Sequence, residues 1–251
     1  GGHCLYVWMG HSRPALSPIV SPAYRLQRTR VAEAQQTYAE TIGLHFGRYA
    51  DFQDSAFTAL NTAFASDGVF IRVPDNKVVE EPVILRFITD SRQQNIAAQP
   101  RNLIVVGRNA EVNVAESYRT IGDGAGFTNV VTEVVMAADA RMEHYRVQDE
   151  SDRAYHIART QVNQGDNTHY HNATITLNGG FVRNGTVRLE SPERHDVSSQ
   201  LHAELGRAAA GFLAGMRCIW WNRSGPTQPQ AEAFLRQRHG GSYFVPSHFS
   251  S

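Results

Sequence analysis

Hydrophobic and polar residues alternate along a long central part of the chain, from about residue 67 to residue 189. Successive side chains of a strand point to opposite faces, so this alternation is typical of half-buried strands. Val112 and Val114, for example, alternate with Glu111 and Asn113. Runs rich in β-branched residues predict nine strands, at 69–73, 83–88, 102–107, 110–118, 129–136, 140–148, 154–162, 169–177 and 181–189.

Short breakers of small or polar residues follow strand runs at 107–109, 137–139 and 164–166. Each breaker precedes an alternating segment, and these segments recur with a loose period of about 30 residues. Such a period predicts stacked β coils, whose inward side chains pack on the coils on either side. An antiparallel sandwich with similarly short strands is the structural alternative. No helical pattern lies between the strands, which argues against an α/β sheet.

The first zone, residues 1–65, has a different pattern. Residues 5–8 predict a short strand, and helical spacing of apolar residues predicts a helix over about 29–44. A second helix is predicted over 54–64, with Asp54 as its N-cap. This helix carries three large apolar side chains that we expect to pack on the first β coil, with a partner-binding stripe as the alternative. They are Phe57, Leu60 and Phe64.

The chain therefore divides into three predicted domains: a strand and helical region at 1–65, a β core at 66–189, and a tail at 190–251. In the tail, residues 198–216 predict a helix with apolar residues along one side, and Trp220 and Trp221 mark a possible interface. Near the end of the core, Asn184 and Gly185 are typical of a type I′ turn, which would close a hairpin.

Composition excludes several classes of function. The formal net charge is zero, without the basic excess of a nucleic-acid-binding protein. No apolar window of membrane-spanning length occurs, and residues 1–10 do not resemble a secretion signal. Cys4 and Cys218 form neither a CxxC pair nor a zinc-binding spacing. These features predict a cytoplasmic protein whose partners are neither nucleic acid nor membrane.

His169 and His171 are the strongest metal-ligand candidates. They would face the same side of a strand, where two imidazoles can bind a metal ion. The sequence identifies no third ligand, so we expect ordinary surface histidines. His144 and His156 each lie in a strand run, and we expect them at the edge of the core or on the surface.

Glu111, Glu133 and Glu143 could form a carboxylate pair like those of glycoside hydrolases. Alternation places Glu133 among outward polar positions, so a solvated face is the expected environment. The glycine-rich segment 122–126 lacks the Lys-Ser/Thr of a phosphate-binding loop and predicts a turn between coils. We therefore predict no catalytic, cofactor-binding or metal-binding residue.

Four segments of this sequence, 57–88, 100–118, 127–151 and 154–184, resemble the SufB/SufD family of the SUF iron–sulfur cluster assembly system. The resemblance is nearly free of gaps. Residues 102–118 and 144–151 are more similar to SufD than to its paralogue SufB. The resemblance fades after about Val187, so we expect an atypical, truncated or frame-disrupted tail. The family's functional Cys and His positions would fall in the part of the family pattern that is missing here, and none can be transferred.

The resemblance implies a mostly β fold, a right-handed parallel β-helix preceded by a small helical region. It also implies a non-catalytic scaffold that pairs with SufB and the ATPase SufC and assists iron acquisition. Sulfur would arrive indirectly from a cysteine desulfurase. No cofactor would be bound firmly, and an iron–sulfur cluster or iron would be held transiently by the complex. The alternatives are SufB itself and a β-helical carbohydrate-active enzyme.

Overall fold

The fold is a parallel β-solenoid made of two facing sheets. The computed structural model describes residues 3–9, 25–27, 37–53, 55–65, 68–190 and 199–204. The strands are β1 (His3–Met9), β2 (Arg25–Gln27), β3 (Phe70–Val73), β4 (Val83–Asp90), β5 (Ile96–Ala98), β6 (Arg101–Val106), β7 (Glu111–Ile121), β8 (Gly126–Met136), β9 (Arg141–Asp149), β10 (Ala154–Gln164), β11 (His169–Asn178), β12 (Phe181–Glu190) and β13 (Ser199–Glu204).

The chain passes from one sheet to the other in every coil. The first sheet has the order β1-β4-β7-β9-β11-β13, and the second has the order β12-β10-β8-β6-β3-β2, with β5 beside β8. Every neighbouring pair is parallel except β2 with β3. Successive coils are therefore β3–β4, β6–β7, β8–β9, β10–β11 and β12–β13. This arrangement confirms the β-helix and rules out the antiparallel sandwich.

All nine predicted strand runs are strands, and residues 5–8 lie in β1, which pairs with β4. The alternating residues face inward as predicted. Register places Val83, Leu85 and Phe87 of β4 beside Val114, Glu116 and Tyr118 of β7. The rings of Phe87 and Tyr118 stack with centroids 4.6 Å apart. Short strands β2 and β5 were not predicted, because three residues are too few to show a period.

Turns of one geometry separate the two strands of a coil. Their key residue has a positive φ: 57° at Asn76, 51° at Asn109, 62° at Asp139 and 51° at Asn167. Asn and Asp tolerate this left-handed conformation better than most residues. The three predicted breakers are confirmed as these turns, and Asn76 marks a fourth.

Two short helices, α1 (Ala39–His45) and α2 (Ala56–Phe64), follow β2 in the chain. Helix α1 confirms the described end of the helix predicted over 29–44, while residues 29–36 lie outside the described residues. The N-cap of α2 is Ser55, whose Oγ accepts a hydrogen bond from Thr58 N at 3.3 Å. The prediction of Asp54 as N-cap is therefore wrong.

The face of α2 that packs on the second sheet is polar. Asn61 is buried, and its Nδ2 donates to the carbonyls of Pro100 at 3.0 Å and Asn129 at 2.9 Å. Phe57 and Phe64 are 37% and 66% exposed. The predicted packing on the β coil is thus wrong for Phe57 and Phe64, whereas Leu60 is half-buried. The carbonyls of Pro100 and Asn129 suit an amide donor at this contact.

The predicted helix over 198–216 is wrong at its start, because Ser199–Glu204 forms β13 beside β11. The rest of that helix, Trp220 and Trp221 lie outside the described residues. The hairpin at Asn184 and Gly185 is also wrong: both residues lie within β12, in register with Ala158 and Arg159. Across the described ranges, the helices are too short and too polar to span a membrane.

Candidate functional site

The interior of the solenoid turns from apolar to polar at its middle coils. Strand β7 carries inward Glu116 two residues after Val114, and β9 carries His144, Arg146 and Gln148 on its inward side. All four polar side chains are buried. Charged groups in such a place need partners, since an isolated buried charge is strongly unfavourable. The hydrogen bonds around these residues supply them.

Glu116 lies at the centre of this group. Its Oε2 accepts hydrogen bonds from Arg146 Nε at 2.8 Å and from the Tyr118 hydroxyl at 3.1 Å. Its Oε1 lies 3.1 Å from His144 Nε2. His144 Nδ1 lies 2.9 Å from the hydroxyl of Tyr170 on the neighbouring strand. We call these five residues the Glu116 cluster.

Arg146 also links the two sheets. Its Nη2 donates to Oγ1 of Thr160, a residue of β10, at 3.2 Å. The guanidinium lies 6.0 Å from the centre of the Tyr118 ring, within cation–π range. Arg146 therefore holds strands of both sheets to one carboxylate.

Burial and neighbouring charges together determine the pKa values of Glu116 and Tyr118. Burial alone would raise the pKa of Glu116, but the charges of Arg146 and His144 hold it well below its usual range. Burial, reinforced by the Glu116 charge, raises the pKa of Tyr118 well above its usual value. Glu116 is thus a carboxylate and Tyr118 a neutral donor at neutral pH.

A second buried pair adjoins the Glu116 cluster. Glu150 Oε2 lies 2.6 Å from His156 Nδ1, and Glu150 Oε1 accepts from Thr128 Oγ1 at 3.3 Å. The His156 ring meets the Tyr118 ring at an angle of 83°, with centroids 4.7 Å apart. Tyr118 therefore contacts both the Glu116 carboxylate and the ring of His156, and the polar interior is continuous from β7 to β10.

Amide and hydroxyl groups extend this interior to the last described coil. Gln148 Oε1 accepts from Thr176 Oγ1 at 2.8 Å and from Asn184 Nδ2 at 3.0 Å. Asn172 Nδ2 donates to Thr186 Oγ1 at 2.9 Å. These amides and hydroxyls bond to one another inside the solenoid, and among the described residues none of them is an exposed nucleophile or acid–base pair.

The predictions for His144 and His156 are wrong, because both side chains lie inside the solenoid with 1% and 0% exposure. The sequence did contain a signal for their burial. In β9 every second residue from Met142 points inward, and His144 and Arg146 belong to this series. An inward series that becomes polar predicts an internal network. Nothing in the sequence specified the partners, which come from other coils.

The expected solvated environment of Glu133 is also wrong. Glu133 does point outward from the second sheet, but it is 0% exposed beneath the segment that joins α1 to α2. Its oxygens accept from the backbone N–H groups of Gly47 at 2.7 Å and of Tyr49 and Ala50 at 2.9 Å. Its Oε2 also lies 3.2 Å from Arg101 Nη2. The carboxylate anchors this segment to the sheet.

The other carboxylates of the predicted set lie elsewhere. Glu111 and Glu143 are half-buried on the first sheet, whereas Glu133 lies on the second. The three do not converge on a catalytic cleft. The turn predicted at 122–126 is confirmed: residues 122–125 join β7 to β8, Gly126 begins β8, and Gly122 has a φ of 98°.

His169 and His171 lie on the outer face of the first sheet, as alternation predicted. Within the described ranges, no three His, Cys, Asp or Glu side chains are arranged to hold a metal ion together. A shallow groove of about 470 Å³ lies on α1, between Ile42, Phe46 and Arg48, away from the polar interior.

Comparison with known proteins yields two family models that match this chain. The model of the SufBD protein N-terminal region matches residues 27–85. The model described as "SUF system FeS cluster assembly, SufBD core domain" matches residues 87–197. The second match continues past Val187, where the resemblance was expected to fade.

Three curated relatives are similar over part of their length. An iron–sulfur cluster assembly SufBD family protein of Synechocystis is 30% identical over 61% of this chain and 36% of its own length. Protein ABCI7, chloroplastic, of Arabidopsis thaliana is 28% identical over 56% of this chain and 34% of its own. A SufBD family protein of Staphylococcus epidermidis is 28% identical over 49% and 27%.

The chain thus spans about a third of the length of the curated relatives that it matches. The SufBD core model covers the coils that hold the polar interior. The N-terminal and core models together account for both the helices on the second sheet and the parallel solenoid. This chain belongs to the SufB/SufD family.

Proposed function

We propose that the protein is a scaffold subunit of the SUF system and acts in iron–sulfur cluster assembly. The observation that carries the proposal is the match of the SufBD core model to residues 87–197, because the described part of that range, residues 87–190, belongs to a parallel solenoid. A solenoid with two broad sheet faces offers surfaces for protein partners. The interior is filled by side chains that bond to one another, as suits a rigid support.

We propose further that the subunit is of the SufD type and pairs with SufB and the ATPase SufC. The segments 102–118 and 144–151, whose pattern is closer to SufD than to SufB, support this choice. In this role the protein catalyses nothing by itself and assists iron acquisition. An iron–sulfur cluster or iron is then cargo of the complex, and sulfur comes from a cysteine desulfurase. A reducing cytoplasm would suit this chemistry.

The test is co-purification. The tagged full-length product of the gene is expressed with SufB and SufC, and the complex is isolated without oxygen. We expect all three proteins in one size-exclusion peak, with ATP hydrolysis that depends on SufC. A folded product that binds neither protein contradicts the proposal.

A second arm separates SufD from SufB. The same product is expressed with SufD and SufC in place of SufB. A complex that forms only in this arm would show that the protein takes the SufB position and that the SufD assignment is wrong. The variant Glu116→Gln, which perturbs the interior and leaves the outer faces unchanged, reports whether binding depends on an intact solenoid.

A further inference from the structure

An asparagine followed by a glycine occurs twice in the chain, at Asn178–Gly179 and at Asn184–Gly185. This dipeptide is prone to deamidation, in which the backbone nitrogen of the glycine attacks the side-chain amide of the asparagine. Glycine favours the reaction because it has no Cβ to shield its nitrogen or to restrict its backbone. The reaction also needs an asparagine side chain that is free to approach that nitrogen, and the two pairs differ in this respect.

The amide of Asn184 is held from both ends. Its Nδ2 donates to Gln148 Oε1 at 3.0 Å, and its Oδ1 accepts from Gln148 Nε2 at 3.2 Å. Asn184 and Gly185 also lie within β12, where Gly185 is in register with Arg159 of β10. These bonds keep the Asn184 side chain inside the solenoid, away from the Gly185 nitrogen.

The amide of Asn178 has no such restraint. Asn178 is the last residue of β11, and Gly179 begins the turn to β12; both are half-buried. Within the described part of the chain, neither the Asn178 side chain nor the Gly179 N–H has a hydrogen-bond partner. The attacking nitrogen and the amide that it attacks are therefore both unprotected at the end of a strand.

We propose that Asn178 is a site of spontaneous deamidation. The Gly179 nitrogen forms a bond to Asn178 Cγ, the bond from Cγ to Nδ2 breaks, and ammonia leaves with the proton that the Gly179 nitrogen has lost. Water then adds to either carbonyl of the resulting succinimide ring. Opening of the ring gives aspartate, or isoaspartate with the main chain running through Cγ.

The modification would change the attachment of the last coil. The Asn178 carbonyl accepts a hydrogen bond from Glu150 N at 3.3 Å, and in isoaspartate this carbonyl becomes a free carboxylate. Asn178 is in register with Asp149, which forms an ion pair with Arg119 at 2.8 Å. Either product therefore adds a second negative charge beside Asp149. The inference does not depend on the proposed function.

The experiment follows deamidation of the whole folded chain at pH 8 by mass spectrometry. Trypsin separates the two pairs into peptides 160–183 and 184–188, because Arg183 lies between them. Fragmentation of each peptide locates the residue whose mass has increased. We expect Asn178 to react at least about tenfold faster than Asn184, a difference of about 1.4 kcal/mol in activation free energy.

The same chain unfolded in guanidinium chloride is the matched control, because Gln148 no longer holds Asn184 there. Both pairs should then react at similar rates. In the folded variant Asn178→Ser, the mass gain of peptide 160–183 should disappear, and circular dichroism checks that this variant is folded. Two outcomes overturn the proposal: Asn178 stays unmodified in the folded chain while the unfolded chain reacts, or the two pairs react equally fast in the folded chain.

Discussion

At the scale of single residues, the interior depends on Glu116. This carboxylate is the acceptor for Arg146 and Tyr118, and it lies beside His144. Breaking a buried pair costs more than the pair contributes, because the remaining charge is left without a partner. The stability of the middle coils should therefore be sensitive to this one side chain.

We predict that Glu116→Gln destabilises the protein by about 3–5 kcal/mol, because Arg146 then keeps a buried charge without a counterion. Urea denaturation followed by circular dichroism measures the change. Glu80→Gln, an exposed carboxylate changed in the same way, should stay within about 0.5 kcal/mol. The double variant Glu116→Gln/Arg146→Met should recover part of the loss, and failure to recover any would contradict an electrostatic cause.

The lowered pKa of Glu116 also predicts a dependence on pH. A carboxyl with a lower pKa in the folded chain contributes stability above its unfolded pKa of about 4.3, and loses it as the pH falls. The stability difference between the unaltered chain and Glu116→Gln should therefore be full at pH 7 and shrink below about pH 4. Denaturation at pH 7, 5 and 3.5 tests this, and a constant difference would contradict it.

At the scale of elements, one carboxylate joins the helices to the solenoid. Glu133 accepts three backbone N–H groups of the segment after α1, and its partner Arg101 donates to Thr62 Oγ1 in α2 at 2.9 Å. The Arg101 guanidinium also lies 5.7 Å from the centre of the Phe46 ring. Both helices are thus tied to the second sheet through one ion pair.

We predict that Glu133→Gln loosens the helices more than the coils. A neutral amide cannot balance Arg101 and has only one oxygen to accept three N–H groups. Hydrogen exchange should quicken at Gly47, Tyr49 and Ala50, with much smaller changes in β7 and β9. Glu111→Gln, on the other sheet, is the control. Equal quickening in both parts would show that Glu133 stabilises the whole fold rather than this junction.

The turns between strands form a second repeated element. Asn109 Nδ2 donates to Asn76 Oδ1 at 3.0 Å, and Asn167 Nδ2 donates to Asp139 Oδ1 at 2.7 Å. Between Asn109 and Asp139 the described side chains form no such bond. The reason is chemical, since a carboxylate has no N–H to donate toward the Asn109 oxygen.

We predict that Asp139→Asn completes this row and stabilises the protein by about 0.5–1 kcal/mol. Asn also tolerates the positive φ of this position. The midpoint of thermal unfolding measures the gain. Asp166→Asn removes a charge in the next turn without adding a side-chain bond to the row, so it should change the midpoint little. An equal gain in both variants would indicate a charge effect instead.

At the scale of the whole molecule, periodicity predicted the coils because each inward series is local in sequence. Val112 and Val114 show their orientation by alternation alone, and a breaker of small or polar residues marks each turn. Alternation along a strand does not predict which outward-facing residues are buried by other segments. Glu133 is covered by a segment more than 80 residues away in the chain, and a local sequence pattern cannot predict such a contact.

The polar interior was missed for a related reason. His144 and Arg146 occupy inward positions in the alternation of β9. Polar residues in a strand are usually assigned to the solvated face, and only their partners show that these two are buried. Their common partner is Glu116, which lies on the neighbouring coil, 30 residues before Arg146 in the chain. Likewise, β13 carries Leu201 in a pattern that fits a helix as well as a strand, and pairing with β11 decides between them.

The inward residues also change along the solenoid axis. Strand β4 contributes Val83, Leu85 and Phe87, whereas β11 contributes Asn172, Thr174 and Thr176 to the corresponding positions. Apolar burial contributes about 25 cal/mol per Å². Each coil contacts only its neighbours, so local stability should follow local composition. The coils near β4 and β7 should therefore be more stable than those near β11 and β12.

Native-state hydrogen exchange should reveal this gradient. We predict that backbone amides of β4, β6 and β7 exchange at least about tenfold more slowly than those of β11 and β12, a difference of about 1.4 kcal/mol in opening free energy. Rates measured at two pH values confirm that exchange reports an equilibrium. Uniform protection from β4 to β12 would mean that the coils open together, and that hydrogen bonds of the polar interior hold it as firmly as apolar packing.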